Sequence, residues 1–302
     1  MLLIDNFING FLEHCLQRKA LSQKTIAAYS IDLKQYSSHA QGHYCFQAID
    51  NYITFLHSTY KPKSVKRKIA TLKAFTHYLL VNDIIDSNPF QKIDTKFHEP
   101  IILPKTIPLD TIAEILSSAY SQLKETTTLY AKRMSLRDIA VLETLFATGA
   151  RVSELCNLSS TSVDLRNHCI KIYGKGSKER LIQIENPDVL NALLVYSNEF
   201  KEEINNANRF FLNKFNRQIS EQSVREIINK YTRLSGNDQH FTPHMFRHSF
   251  ATFLLEEDVD IRYIQKMLGH SSITTTQIYT HVAMSKQKEI LAVKHPRNKI
   301  HI

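Results

Sequence analysis

A short proline-rich segment divides the chain into two parts. Residues 98–108, within FHEPIILPKTIP, hold three prolines and no helical periodicity. Proline cannot continue a helix, because its ring removes a backbone donor and clashes with the preceding turn. We therefore expect two domains, residues 1–97 and 109–302, joined by this linker, and 302 residues are enough for both.

The first domain has the pattern of a helical bundle. Four stretches repeat apolar residues every three or four positions, and no strand pattern interrupts them. Ser22 is a predicted cap at the start of the second stretch. The fourth, KPKSVKRKIATLKAFTHYLLVND, has a predicted core face made of Val65, Ile69, Leu72, Thr76 and Leu79.

Four cations of this fourth helix lie off its apolar stripe. Lys63 and Arg67 fall roughly opposite the stripe, and Lys66 and Lys73 lie on a flank. Such cations either face solvent or belong to a helix that contacts a DNA backbone or enters a major groove. The 38 Lys and Arg against 29 Asp and Glu, a net charge of +9, favour a polyanionic partner, because cations that meet phosphates release condensed counterions.

The second domain alternates helices with one hairpin. LDTIAEILSSAYSQL and MSLRDIAVLETLFATG are helical, and Gly149 ends the second of them. HCIKIYGKGSKERLIQIE then alternates apolar and polar residues around a glycine-rich turn, which predicts a β-hairpin. Four helical stretches follow. The fold class is mainly α with a small β-sheet or hairpin.

The composition argues against several other classes of protein. No run approaches the roughly 20 apolar residues of a membrane span, and the first residues lack the cations of a secretory signal. We therefore expect a cytoplasmic protein that does not bind a membrane. Cys15, Cys45, Cys156 and Cys169 lack the spacing of a zinc site or of a disulfide scaffold, so we expect reduced thiols and no metal.

Two motifs before the later helices offer cations to an anion. In TGARVSEL, Arg151 follows a glycine turn at a predicted helix start, where backbone N–H groups favour an anion, and Glu154 lies one turn on. A surface ion pair between these two residues is the alternative. Lys175 lies in the hairpin turn YGKGSKER, and an exposed, merely solubilising turn is its alternative.

FTPHMFRHSF offers a histidine and an arginine on one helix face. Thr242 is a predicted N-cap, which puts His244 in the first turn and Arg247 one turn later. His248 is expected about 100° around the helix, away from that face. An imidazole and a guanidinium so placed suit a phosphoryl group. A surface His and Arg without a ligand are the alternative.

LGHSSITTTQIYTH places His270 just after Gly269, a predicted helix stop, and Tyr279 nine residues later. A tyrosine after a turn is usually a half-buried aromatic. It is also a poor nucleophile alone, because about one phenol in a thousand is ionised at pH 7. Neighbouring cations and proton carriers would be needed to activate it.

Five motifs follow one another in a fixed order: Arg in TGARVSEL, Lys in YGKGSKER, HMFR, LGH, and a Tyr nine residues later. This order resembles the tyrosine recombinase (phage integrase) family, most closely its Xer-like members. That resemblance implies the two-domain C-shaped clamp of the family, with a SAM-like core-binding domain at residues 1–97 and a catalytic domain at 109–302. It also implies that Lys63, Lys66, Arg67 and Lys73 bind DNA. The tail SKQKEILAVKHPRNKIHI would dock on a neighbouring protomer or pack on its own domain.

The resemblance also implies roles for single residues. Tyr279 would attack the scissile phosphate and form a 3′-phosphotyrosyl intermediate. Arg151 and Arg247 would hold the phosphate oxygens, and Lys175 would protonate the leaving 5′-oxygen. The remaining assignments are His244 to proton transfer, His270 to a phosphate oxygen and Glu154 to support of the first arginine. No metal and no cofactor would be required.

The implied partner is double-stranded DNA with inverted half-sites. Two protomers would bind each site and four would form the synapse, as a homo-oligomer or with a second recombinase, and strands would exchange through a Holliday junction. The protein would associate with the nucleoid and resolve chromosome dimers, or integrate or invert a mobile element. The alternatives are a type IB topoisomerase and a non-catalytic DNA-binding protein.

Overall fold

The protein is described by a computed structural model that covers residues 2–95, 97, 104–174 and 179–269. Its backbone contacts divide the chain into two compact units, residues 1–101 and 102–302. Within the described ranges, no helix is both long and apolar enough to pass through a bilayer.

The first unit is built from helices around an aromatic core. The elements are β1 (Leu2–Leu3), α1 (Asp5–Gln17), α2 (Gln23–Ala40), β2 (His43–Tyr44), α3 (Phe46–Thr59), α4 (Pro62–Val81) and a 3₁₀ turn (Pro89–Lys92). The expectation of an uninterrupted helical domain was wrong at one place, because β1 pairs with β2 in an antiparallel ladder. Strands of two residues are too short to show an alternating pattern in the sequence.

The helix signals of the first unit are confirmed. Ser22 caps α2, its Oγ accepting a hydrogen bond from the backbone N–H of Thr25 at 3.2 Å. The predicted core stripe of α4 is buried at every position, namely Val65, Ile69, Leu72, Thr76 and Leu79. Burial of this stripe against α2 and α3 positions the opposite, cationic face of α4 toward solvent.

The second unit surrounds one central helix. Its elements are α5 (Leu109–Glu125), α6 (Leu129–Thr148), α7 (Val152–Cys156), a 3₁₀ turn (Ser160–Ser162), β3 (Val163–Asp164), β4 (Cys169–Tyr173), β5 (Glu179–Gln183), α8 (Pro187–Glu199), α9 (Lys201–Ala207), α10 (Glu221–Leu234), α11 (Pro243–Glu256) and α12 (Ile261–Leu268). Helix α6 packs against α5, α8 and α11. It is buried along almost all of its second half.

The predicted hairpin is confirmed, and three features around it were not predicted: a third strand, an earlier start of α6, and helix α9. Strands β4 and β5 pair antiparallel with Ile170 opposite Ile182, and β3 adds a short third strand beside β4. Helix α6 begins at Leu129, before the first residue of the predicted stretch, because Thr128 caps it there. Helix α9 was not predicted. The fold class, mainly helical with one small sheet, is confirmed.

Candidate active site

Gly149 turns the chain from α6 into the segment that carries Arg151. It has φ +55°, in the left-handed region that favours glycine. A Cβ there would lie 2.5 Å from Phe250 Cδ1 and 3.0 Å from Leu268 Cδ2, so a side chain has no room. Arg151 follows as the residue that precedes α7. The predicted glycine stop and the position of Arg151 at a helix start are therefore both confirmed.

Glu154 binds back to Arg151 in two ways. Its Oε2 accepts the backbone N–H of Arg151 at 2.9 Å, and its Oε1 accepts a side-chain N–H from Arg151 Nη1 at 2.8 Å. The Arg151 side chain is 36% exposed, whereas that of Glu154 is 5% exposed. The alternative of an ion pair between these residues is thus correct in part. The pair exists, but Glu154 is buried, so the orientation of its carboxylate is determined inside the protein.

Arg180 is a second partner of Glu154 that the sequence analysis missed. Its Nη1 and Nη2 donate to Glu154 Oε1 and Oε2 at 3.1 and 2.7 Å, and its Nε donates to the Met267 carbonyl at 2.7 Å. The side chain is 9% exposed. A signal was present, because Arg180 stands two residues before the buried Ile182 on β5 and so lies on the inward face of the hairpin.

The pKa of Glu154 reflects these contacts. Burial by itself raises the pKa of this carboxyl, but the hydrogen bonds from Arg180 and Arg151 outweigh burial and lower it to about 2. Glu154 is therefore a carboxylate throughout the neutral range. A fixed negative charge between two guanidinium groups aligns both of them.

Arg247 lies inside the protein and holds two backbone carbonyls. Thr242 caps α11, as predicted, accepting the backbone N–H of Met245 at 3.3 Å, so Arg247 comes one turn after the helix start. Arg247 is 2% exposed. Its Nη1 donates to the Gly149 carbonyl at 2.7 Å and its Nη2 to the Leu268 carbonyl at 2.6 Å.

The two histidines of α11 lie side by side. The prediction that His248 points away from His244 was wrong: their rings stack with centroids 5.5 Å apart and 19° between the planes. They are four residues apart, and this helical spacing was the missed signal. Burial, aided by the nearby charges of His244 and Arg247, lowers the pKa of His248 to about 4. His248 is therefore neutral at pH 7.

The end of α12 joins these groups. Arg180 and Arg247 bind the successive carbonyls of Met267 and Leu268, which are among the last carbonyls of the helix. Gly269 then ends the helix in a left-handed conformation, as predicted, with φ +65°. The structure thus brings together Arg151, Glu154 and Arg247 around the turn at Gly149 and the end of α12. Lys175, His270, Tyr279 and the C-terminal tail lie outside the described residues.

The cations predicted to bind DNA lie on α4. Arg67 is about half exposed and pairs with the buried Asp32. Lys73 donates to Thr95 Oγ1 at 2.6 Å, and Lys63 and Lys66 are exposed. The buried Lys68, missed because it lies between core positions, binds Asp32 Oδ1 at 3.0 Å. This face therefore combines exposed lysines with an arginine whose direction is set by an internal carboxylate.

Cysteines and other side chains that could bind a metal ion form no metal site among the described residues. None of the four cysteines forms a disulfide, and Cys15 and Cys156 are buried. Among the residues that the structure describes, no group of three or more His, Cys, Asp and Glu side chains is arranged to hold a metal ion.

Comparison with known proteins agrees with this architecture. Residues 114–286 match the phage integrase family, and residues 8–82 match the phage integrase N-terminal SAM-like domain. A tyrosine recombinase of Agathobacter rectalis is 55% identical over 302 residues, covering 99% of both chains. Tyrosine recombinase XerD of Listeria innocua is 35% identical, covering 97% of this chain and 100% of its own.

Solved structures show the same fold. The XerH site-specific recombinase bound to palindromic difH substrate, in a post-cleavage complex, has a TM-score of 0.75 at 18% identity, covering 95% of this chain and 84% of its own. A lambda integrase dimer bound to a COC′ core site has a TM-score of 0.66 at 17% identity, covering 91% and 76% of the two chains.

Proposed function

Since the chain belongs to the phage integrase family and is a tyrosine-type site-specific DNA recombinase, we propose that it cuts each strand with Tyr279. The Tyr279 Oη bonds to the scissile phosphorus while the bond to the 5′-oxygen breaks. The products are a 3′-phosphotyrosyl enzyme and a 5′-hydroxyl. Reversal of the same step by a 5′-hydroxyl of another strand rejoins the DNA, with the bond energy retained in the phosphotyrosine.

One observation carries the proposal. The buried Arg247 is hydrogen-bonded to the Gly149 carbonyl, two residues before Arg151, whose own side chain is held by the Glu154 carboxylate. Two guanidinium groups are thereby anchored at one turn of the chain. Fixed cationic donors of this kind stabilise the charge that develops on phosphorus, and removal of one costs about 3 to 4 kcal/mol in the activation barrier.

Proton transfer is assigned to groups around these arginines. His244, in the first turn of α11, accepts the phenolic proton of Tyr279, and Lys175, which stands between β4 and β5 in the sequence, protonates the leaving 5′-oxygen. His270 donates a hydrogen bond to a phosphate oxygen. Help is needed because a phenol with a pKa near 10 is almost entirely protonated at pH 7.

The DNA substrate and the assembly are part of the proposal. Related structures are described as XerH bound to palindromic difH and as a lambda integrase tetramer bound to a Holliday junction. We propose two protomers on each pair of inverted half-sites, four in the synapse, and strand exchange through a Holliday junction. Lys63, Lys66, Arg67 and Lys73 contact the DNA backbone from the first unit. The biological role proposed is resolution of chromosome dimers, or integration or inversion of a mobile element.

Neither alternative from the sequence analysis is favoured. The curated relatives quoted above are named tyrosine recombinases, not topoisomerases, and not DNA-binding proteins without activity. A supercoiled plasmid without a recombination site separates these functions, because a topoisomerase relaxes it whereas a site-specific recombinase leaves it unchanged.

Trapping on a nicked substrate tests the chemistry. A DNA site selected by the protein from a random pool is made with a nick beside the cleavage position, so that the released fragment diffuses away and the covalent adduct accumulates. We expect an adduct with the wild type and with Tyr130→Phe, an exposed control on α6, and none with Tyr279→Phe. A wild type without adduct on a site that it binds, or an adduct with Tyr279→Phe, would overturn the proposal.

A further inference from the structure

We infer that Arg180 is a positioning residue for DNA cleavage. Through Glu154 it holds Arg151, and through the Met267 carbonyl it holds the end of α12, in the arrangement that the reaction needs. This inference rests on the function proposed above. It adds a residue to which the sequence motifs gave no role.

The pairing of Arg180 with Glu154 is specific in geometry. Both oxygens of the carboxylate are engaged, at 2.7 and 3.1 Å, and both side chains are less than one-tenth exposed. A bidentate guanidinium and carboxylate pair has one preferred relative orientation, unlike an ammonium, which is a point charge. The carboxylate plane is therefore fixed by Arg180. Arg151, which binds Oε1 of the same carboxylate, takes its direction from that plane.

The third hydrogen bond of Arg180 reaches α12. The last carbonyls of a helix have no partner within the helix, and cations at this end interact favourably with its dipole. Arg180 Nε binds the Met267 carbonyl at 2.7 Å, next to the Leu268 carbonyl that Arg247 binds. The contact continues to Gly269, where a Cβ would stand 2.9 Å from Arg180 Nη1. The end of α12 cannot move away without breaking these contacts.

Arg180 also belongs to the hairpin. It lies on β5 opposite Ile172 of β4, in the register position next to the pair of Tyr173 and Glu179. Lys175 stands between these two strands in the sequence. One guanidinium thus joins the hairpin, the helix start at Arg151 and the end of α12, which are three separate sources of proposed catalytic groups.

The expected effect of losing Arg180 is on the rate of cleavage and not on DNA affinity. Arg180 is buried against Glu154, so it contributes little to the charge that attracts DNA. A displacement of about 1 Å in groups that orient the reacting phosphate lowers the rate about a hundredfold. We expect this decrease for Arg180→Gln in single-turnover cleavage, with the Kd for the site changed less than about threefold.

The experiment compares five full-length variants with the wild type: Arg180→Gln, Arg180→Lys, Glu154→Gln, the Arg180→Gln/Glu154→Gln double variant and Arg133→Gln. Arg133 is the matched control, because it also binds a carboxylate, Glu203, and a backbone carbonyl, that of Glu199. It lies near the other end of α6, about 24 Å along the helix from Gly149. DNA affinity, melting temperature and the rate on the nicked substrate are measured for each.

If Arg180 acts through Glu154, the double variant is no slower than the slower single variant, because both changes remove one interaction. Arg180→Lys keeps the charge without the bidentate geometry and should be about tenfold slower than the wild type. Arg133→Gln should melt at a lower temperature but cleave at the wild-type rate.

The inference is overturned if Arg180→Gln cleaves at the wild-type rate, or if its slowing matches that of Arg133→Gln. Rate losses that multiply in the double variant would also overturn it. Should Arg180→Gln fail to fold, Arg180→Lys decides, and wild-type cleavage by that variant counts against the inference. Failure of the proposed function looks different, since then the wild type forms no adduct or Tyr279→Phe still forms one.

Discussion

Replacing Glu154 by glutamine removes the negative charge that two guanidinium groups share. The side chain is 5% exposed, and its partners are Arg151, which is partly exposed, and Arg180, which is 9% exposed. Glutamine has nearly the same shape, so no cavity forms. What changes is that Arg180 becomes a buried cation without its counter-charge, a situation that destabilises proteins by about 3 to 5 kcal/mol.

The lowered pKa of Glu154 gives a second value for the stability that this carboxylate contributes. The folded protein lowers the pKa of Glu154 from 4.5 to about 2. At about 1.4 kcal/mol per pKa unit, the carboxylate stabilises the folded state by about 3 kcal/mol at neutral pH. The unfolded chain binds the proton more readily, so this contribution is complete above pH 4.5 and is lost as the pH falls toward 2. Linkage places half of the effect at about pH 3.

Urea unfolding of the full chain, followed by circular dichroism from pH 7 to pH 3, measures both the loss of stability and its dependence on pH. We expect Glu154→Gln to be less stable than the wild type by about 3 kcal/mol at pH 7, with a difference that narrows below pH 4.5. Glu179→Gln, which removes an exposed pair with Lys171 on the same hairpin, should lose less than about 1 kcal/mol. A difference below 1 kcal/mol for Glu154→Gln, or one that is constant with pH, would refute this reasoning.

Three further predictions concern other parts of the molecule. Gly149→Ala should reduce the free energy of unfolding in urea by about 2 to 4 kcal/mol, because of backbone strain and steric overlap. Gly236 is the control, since it has φ +78° but no atom within 4 Å of an added Cβ. Gly236→Ala should therefore reduce the free energy of unfolding by only about 1 kcal/mol. In DNA titrations, Lys63→Ala should make the slope of the logarithm of the association constant against the logarithm of salt concentration less negative by about 0.9. Lys201→Ala should leave this slope unchanged. Equal slopes for the two variants would show that Lys63 does not contact the DNA. NMR titration should find the His248 midpoint near pH 4, so the folded state loses stability as the pH falls from 6.5 toward 4, and a midpoint near 6.5 would contradict its burial.

Local signals in the sequence predicted the local structure well. Ser22, Gly149, Thr242 and Gly269 begin or end helices where the sequence placed them, because capping depends on a few neighbouring residues. The β4 and β5 hairpin was predicted for a similar reason. The paired strands β1 and β2 were not, since their partners are about 40 residues apart and each is two residues long.

The candidate site could be predicted only as a set of separate residues. Their order in the chain predicted Arg151, Glu154, His244 and Arg247, and the structure locates all of them. The predicted direction of His248 was wrong, because it was taken from the angle to Arg247 and not from the four-residue spacing to His244. Lys175, His270 and Tyr279 remain predictions from the sequence.

What the sequence determined by itself is the family and the division into helices and a hairpin, and it supplied the candidates for the reactive side chains, because these depend on residue type and on spacing along the chain. Only the tertiary structure decided that Arg180 shares Glu154 with Arg151, and that Arg180 and Arg247 bind neighbouring carbonyls at the end of α12. These contacts of Arg180 and Arg247 join residues from 21 to 87 positions apart. Their geometry follows from how the hairpin, α7, α11 and α12 pack, and no periodicity along one segment contains that information.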